Sequence, residues 1–144
     1  MLRKKEIVEK RSVLFVDDIE LSLHSIERCL LNEPYHKLFA TSSKEVFEVL
    51  TLNKVHVIIT DMCMPEMTGL ELLRTARKDY PDIIGMILTE YMQDAELQAA
   101  EENGEIFKLI PKSWNNEENF KNIILEAIDS YNLQSKCDTV KQKN

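Results

Sequence analysis

Five short apolar runs, rich in β-branched and aromatic residues, recur along the chain at Val13–Val16, Lys37–Ala40, Val55–Thr60, Ile83–Thr89 and Ile106–Ile110. Most are continuously apolar rather than alternating, as expected of strands covered on both faces. Between them the apolar spacing becomes helical. Ile26, Cys29 and Leu30 give an i, i+3, i+4 stripe for a helix over about 20–32, which Pro34 ends. Ser42 and Glu45 stand at capping-box spacing ahead of Val46, Phe47 and Leu50. Leu70, Leu73 and Ala76 define a third helix, stopped by Pro81, and a fourth is expected from about Met92 to Asn103 with Gly104 as a left-handed stop. The last is the most regular: Phe120, Ile123, Ile124, Ala127, Ile128 and Tyr131 share one face, with Asn115 as cap and Glu118 at the third helical position.

Strand and helix alternating five times, without a repeated sequence, predicts an α/β fold: a doubly wound, five-stranded parallel sheet with helices on both faces. Such sheets bind ligands beyond the carboxyl ends of their strands. Asp17 and Asp18 follow the first strand, Asp61 the third, Thr89 the fourth and Lys112 the fifth. These residues head any list of candidates for chemistry.

The 144 residues suit one ordinary domain, here residues 12–131, flanked by a basic extension (1–11) and an expected unstructured tail (132–144) that lacks apolar periodicity. The net charge of −7 is unevenly spread: residues 1–11 carry +3 and 132–144 carry +2, leaving −12 between them. An acidic body argues against direct nucleic-acid or anionic-membrane binding. No apolar stretch is long enough to span a bilayer, and the basic N-terminus lacks the apolar core of a secretory signal. Cys29, Cys63 and Cys137 are odd in number with no CxxC spacing, which fits a reducing, cytoplasmic setting.

Three carboxylates gathered at one sheet edge repel one another, which raises their pKa values or calls for a cation. Mg²⁺ suits such a place, because it takes a few carboxylate and carbonyl oxygens while keeping several waters. A carboxylate can itself attack phosphorus to give an aspartyl phosphate, whose oxygens a Lys ammonium and a Thr hydroxyl can hold.

Four separated segments then carry a family resemblance. They are Val13-Leu14-Phe15-Val16-Asp17-Asp18, Asp61-Met62-Cys63-Met64-Pro65-Glu66-Met67-Thr68-Gly69, Leu88-Thr89-Glu90-Tyr91 and Pro111-Lys112-Ser113-Trp114. In this order and spacing the chain resembles the receiver domains of two-component response regulators over residues 12–131. The resemblance implies the flavodoxin-like strand order 2-1-3-4-5. It implies that Asp61 accepts a phosphoryl group from a histidine kinase or phosphotransfer protein, and that Thr89 and Lys112 bind that group. Asp17, Asp18, Asp61 and the backbone carbonyl of Cys63 would hold Mg²⁺. The chain would then be a phosphorylation-dependent switch of a phosphorelay, free-standing or part of a longer regulator, and not an enzyme beyond self-catalysed phosphorylation and dephosphorylation.

Three positions depart from the usual pattern of that family. Leu109 stands where a Tyr or Phe commonly switches rotamer, Glu90 where a small residue is usual, and Ser113 where Pro is usual. A cis bond before a non-proline residue costs roughly 3–4 kcal/mol, so Lys112–Ser113 is expected to be trans. Trp114 is expected to anchor the last helix, and Met62, Met64 and Met67 to pack rather than bind. Glu96, Glu101, Glu102 and Glu105 make either a solvated face or a partner-recognition patch. Two rival functions stand beside the switch: a phosphate-independent adaptor, and an aspartyl-phosphate phosphatase, which would want Asp-x-Asp after its first strand.

Overall fold

The computed structural model describes residues 4–113 and 116–143, with side chains described for 7–113 and 116–134. Five strands, β1 (Ser12–Val16), β2 (His36–Ala40), β3 (Val57–Asp61), β4 (Ile84–Thr89) and β5 (Lys108–Pro111), form one parallel sheet in the order β2-β1-β3-β4-β5. Six helices join and flank them: α1 (Lys4–Glu9), α2 (Glu20–Cys29), α3 (Ser43–Leu52), α4 (Gly69–Asp79), α5 (Ala95–Glu102) and α6 (Glu117–Lys143). The strand order and the two-faced covering agree with the expectation from sequence.

Side chains alternate across a strand, so each central strand feeds two cores. Val13 and Phe15 of β1, with Val57 and Ile59 of β3, pack under α2 and α6. Leu14 and Val16, with Ile58, pack under α3, α4 and α5. Neither face of the sheet reaches water, which is why the strands read as unbroken apolar runs. Met62, Met64 and Met67 pack at the edge of the second core, as expected of them.

The helix starts show how short polar signals fix the loops. Ser42 accepts a hydrogen bond from the Glu45 amide at 3.2 Å, Thr68 from Glu71 at 3.1 Å and Asp94 from Leu97 at 3.0 Å. Each satisfies an amide that the first helical turn leaves without a partner. Asp94 therefore starts α5 at Ala95, later than the Met92 expected from apolar spacing. At α6 the cap is Asn116, whose Oδ1 accepts from the Asn119 amide at 3.0 Å. The expected cap Asn115 and the expected anchor Trp114 lie outside the described residues.

Helical structure reaches into both ends of the chain. Residues 4–9 are helical, and Val8 is buried in the core beneath α6, so the basic extension is partly integral to the fold. At the other end α6 runs from Glu117 to Lys143. Residues 132–143 contain no glycine or proline, and without a breaker an established helix propagates at little cost.

The acidic residues of the α5–β5 region are only partly a solvated face. Arg74 on α4 forms an ion pair with Glu105, and Arg77 donates to the Glu105 carbonyl. Glu101 accepts from the amide of Leu109 at 2.8 Å. That bond satisfies an edge-strand amide beside the buried Leu109 side chain.

Candidate functional site

Parallel strands end together, and the residues that follow β1, β3, β4 and β5 meet at one edge of the sheet. Asp17 and Asp61 are almost fully buried, with 1% and 3% of their surface exposed, whereas Asp18 is open to solvent. One carboxylate oxygen from each of the three lies within 4.8 Å of the others. Lys112 reaches in from the end of β5, its Nζ 3.1 Å from Asp61 Oδ2 and 3.8 Å from Asp17 Oδ2. Thr89, buried at the end of β4, lines the same cavity of about 250 Å³, together with Asp18, Asp61, Cys63, Glu90 and Lys112. Sequence reasoning nominated Asp17, Asp18, Asp61, Cys63, Thr89 and Lys112, and all six converge here.

Backbone contacts fix these groups. The Ile19 amide donates to Asp17 Oδ1 at 2.9 Å, holding the carboxylate toward the cavity. The Lys112 amide donates to the Thr89 carbonyl at 2.9 Å, so Lys112 and Thr89 are positioned as one unit. The Tyr91 amide donates to Thr89 Oγ1 at 2.9 Å, which leaves the hydroxyl hydrogen available to an incoming acceptor. Among the described residues no peptide bond is cis, so Lys112–Ser113 is trans.

Gly69 opens α4 directly beneath the acidic pocket. Its amide donates to the Met62 carbonyl at 2.8 Å, and a Cβ built on it would lie 2.5 Å from the Asp61 carbonyl oxygen. Only glycine lets α4 come this close to the end of β3. The role of Ile19 had no signal in sequence because the group used is a backbone amide. For Gly69 the signal was present, in its place directly after the capping residue Thr68.

The electrostatics follow from burial. Burial pushes the Asp61 carboxyl above its usual range and the neighbouring Asp17 and Asp18 add to the rise, while the Lys112 contact holds it back. Burial also works against the Lys112 ammonium, but the hydrogen bond to Asp61 and the surrounding carboxylates outweigh it, and its pKa rises. The pocket holds more negative charge than one lysine answers. Its oxygen-only donor set, two members buried and one open to solvent, fits a hard divalent cation that keeps part of its water.

Comparisons with known proteins agree with this arrangement. The family model for the response regulator receiver domain matches residues 13–124. The chain is 27% identical over 128 residues to the hydrogenase transcriptional regulatory protein HoxA of Bradyrhizobium diazoefficiens, covering 89% of this chain and 26% of that protein. It is 30% identical over 127 residues to the response regulator protein VraR of Staphylococcus saprophyticus, covering 78% of this chain and 61% of that protein. The chain thus spans about a quarter of the first relative and under two thirds of the second. Among solved structures, a CheY-like response regulator receiver domain protein from Methanospirillum hungatei superposes with a TM-score of 0.77 at 25% identity, covering 87% of this chain and 98% of that one. A receiver domain protein from Clostridium thermocellum gives 0.74 at 30% identity, covering 86% and 98%. With the family match running through nearly all of the sheet and the acidic triad in the place where receivers bind Mg²⁺, this chain belongs to the response regulator receiver domains, phosphoacceptor switches rather than classical enzymes.

Proposed function

We propose that the chain is a phosphorylation-dependent switch that takes a phosphoryl group onto Asp61 from the phosphohistidine of a kinase or phosphotransfer protein. The observation that carries this reading is the 3.1 Å contact between Lys112 Nζ and Asp61 Oδ2, in a cavity shared with Thr89 and Asp18 and beside the buried Asp17. A buried carboxylate held by a cation on one oxygen and open to a cavity on its other side is placed to act as a nucleophile.

In this reading an Asp61 carboxylate oxygen forms a bond to phosphorus as the phosphorus–nitrogen bond to the donor imidazole breaks, and the electron pair of that bond returns to the imidazole nitrogen. The Lys112 ammonium moves its contact onto a phosphoryl oxygen, and the Thr89 hydroxyl donates to another. Asp17, Asp18, Asp61 and the Cys63 carbonyl would hold Mg²⁺, which supplies charge neutralisation for the transferring group. Ile19 keeps Asp17 in position through its amide. The residues do little covalent chemistry themselves; they position and neutralise, which is what phosphoryl transfer requires.

Thr89 supplies the readout. Turning its hydroxyl to the phosphoryl group disturbs the Tyr91 amide bond and so moves the segment between β4 and α5. Leu109 is packed in the core, and Glu101 ties α5 to its amide, so here the shift would travel through α5 and the Glu101 contact rather than through an aromatic rotamer.

Intact-mass spectrometry after incubation with Mg²⁺ and acetyl phosphate, and separately with a competent phosphohistidine donor, tests the proposal. One base-labile phosphoryl adduct is expected, lost in Asp61→Asn. An unshifted mass with the phosphohistidine donor would leave the adaptor reading in its place, and steady turnover of a phosphomonoester would favour the phosphatase.

A further inference from the structure

The acidic edge does not hold the largest opening in the described surface. Two adjoining cavities, of about 480 and 350 Å³, lie at the opposite end of the sheet, where β1 and β3 begin, and they share Asn53, Lys54 and Tyr131. The larger is lined by Lys10, Arg11, Lys54 and His56, and among the described residues none of its three cations is ion-paired with a carboxylate. In a chain of net charge −7, three cations around one cavity, with no ion-pair partner among the described residues, are a local reversal of sign.

Two of the polar groups, Arg11 and His56, are also held in place. Arg11 Nε donates to Asn132 Oδ1 at 2.7 Å, and the guanidinium carbon sits 5.3 Å from the centre of the Tyr131 ring, which fixes the plane of the group. His56 is only 4% exposed, and its Nδ1 accepts from the Ser12 amide at 2.9 Å. The neutral ring therefore carries its hydrogen on Nε2 as a donor. Its edge-on contact with Tyr131, 4.8 Å between ring centres, keeps the imidazole from turning. Arg11, fixed in this way, receives an oxyanion with little ordering cost, and the exposed Lys10 and Lys54 close on it from the rim.

The adjoining cavity has a different character. Tyr80, Pro81, Ile83 and Val55 give it an apolar wall, and Asp79 and Asp82 on its rim repel a second anion. We propose that this end of the sheet is a second ligand site, for a small phosphorylated molecule whose anion sits on Lys10, Arg11 and Lys54 and whose apolar or aromatic body lies against Tyr80, Pro81 and Ile83. The proposal is independent of phosphorylation at Asp61, which lies at the other end of the strands. Burial first, then the nearby charges of Arg11 and Lys54, hold the His56 pKa down to about 4.

The test is a nitrogen-15 NMR titration of the full chain with inorganic phosphate, pyrophosphate and AMP, each to about 20 mM, beyond the millimolar Kd that a few charge-assisted contacts give. At least one probe is expected to shift the amides of Ser12, Lys54 and His56 saturably, while Thr89 and Lys112 report separately on the acidic edge. The double variant Lys10→Glu, Lys54→Glu, both at exposed positions, is expected to weaken that binding tenfold or more. AMP, unlike phosphate, is expected also to shift Tyr80 and Ile83. Non-saturating shifts with all three probes, or binding that the double variant leaves unchanged, overturns the site; AMP shifts confined to the basic cavity overturn the placement of the body.

Discussion

Acid should weaken this fold through one histidine, in a pH range where most carboxylates are still charged. His56 is sealed between the starts of β1 and β3 and the ring of Tyr131, with its Nδ1 used as an acceptor. Burial first, then the charges of Arg11 and Lys54, hold its pKa down to about 4, against about 6.5 for an exposed histidine. Between these two values the unfolded chain binds a proton that the folded chain refuses. The stabilisation is thus fully present above pH 6.5 and is lost progressively as the pH falls toward 4. Integrating the proton difference gives a loss of about 0.8 kcal/mol at pH 6 and about 2 kcal/mol at pH 5.

Urea denaturation followed by circular dichroism, at several pH values from 7.5 to 5, measures this loss directly. The comparison is with His56→Gln, whose side-chain oxygen can still accept from the Ser12 amide but does not titrate. The difference between the two proteins isolates the histidine from every other titrating group, including Asp61. That carboxyl is raised in the folded state and so favours folding as it protonates, the opposite sign. Wild type should lose stability relative to the variant by about 2 kcal/mol between pH 7.5 and pH 5. Parallel curves over that range would show that His56 titrates normally in the folded state and that the buried-base reasoning is wrong.

The acidic edge supplies the remaining predictions. Gly69→Ala gains about 1 kcal/mol of helix propensity but places a methyl 2.5 Å from the Asp61 carbonyl, a clash worth about 1–3 kcal/mol; a lower urea midpoint is expected, together with slower labelling of Asp61. An unchanged midpoint would mean that α4 can slide away from β3. Glu90→Gly removes an exposed anion from the rim of the cavity, and should speed labelling by acetyl phosphate and shorten the lifetime of the acyl phosphate; equal rates and lifetimes would dispose of a shielding role. Thr89→Ala should still be labelled but should lose the amide shifts that phosphorylation produces in α5, and full-sized shifts in that variant would remove Thr89 from the readout.

The acidic site was legible in sequence because a parallel sheet collects strand ends. Asp17-Asp18, Asp61, Thr89 and Lys112 each follow an apolar run, and topology alone brings them to one edge. What escaped has physical reasons. Thr68 with Glu71 is the same polar spacing as Ser42 with Glu45 and marks the start of α4, but Asp94 hides among other acids and its capping role emerges only from the fold. Helix α1 offers one apolar pair, Ile7-Val8, too little to show a period, and it stands because Val8 finds the core under α6. The basic cavity joins Arg11, Lys54, His56 and Tyr131 from three separate parts of the chain, with no motif to announce it.

The same two strands therefore carry opposite fields at their ends. From Ser12 to Asp17 is five residues of extended chain, roughly 17 Å at the usual rise. At that distance two unit charges interact by about 0.2 kcal/mol in water, and the separation is about twice the screening length of physiological salt. An anion at the basic end cannot change the chemistry at Asp61 by charge alone. Coupling between the ends, if a titration of one changes labelling at the other, has to run through packing. The available path is α6, whose Tyr131 touches His56 and Arg11 below while its other buried residues lie against β3 and β4. Any such coupling must be reciprocal in binding free energy, so phosphorylation would shift the affinity of the basic end by the same factor. Equal affinities before and after phosphorylation would mean that the doubly packed sheet holds its two ends apart mechanically as well as electrostatically.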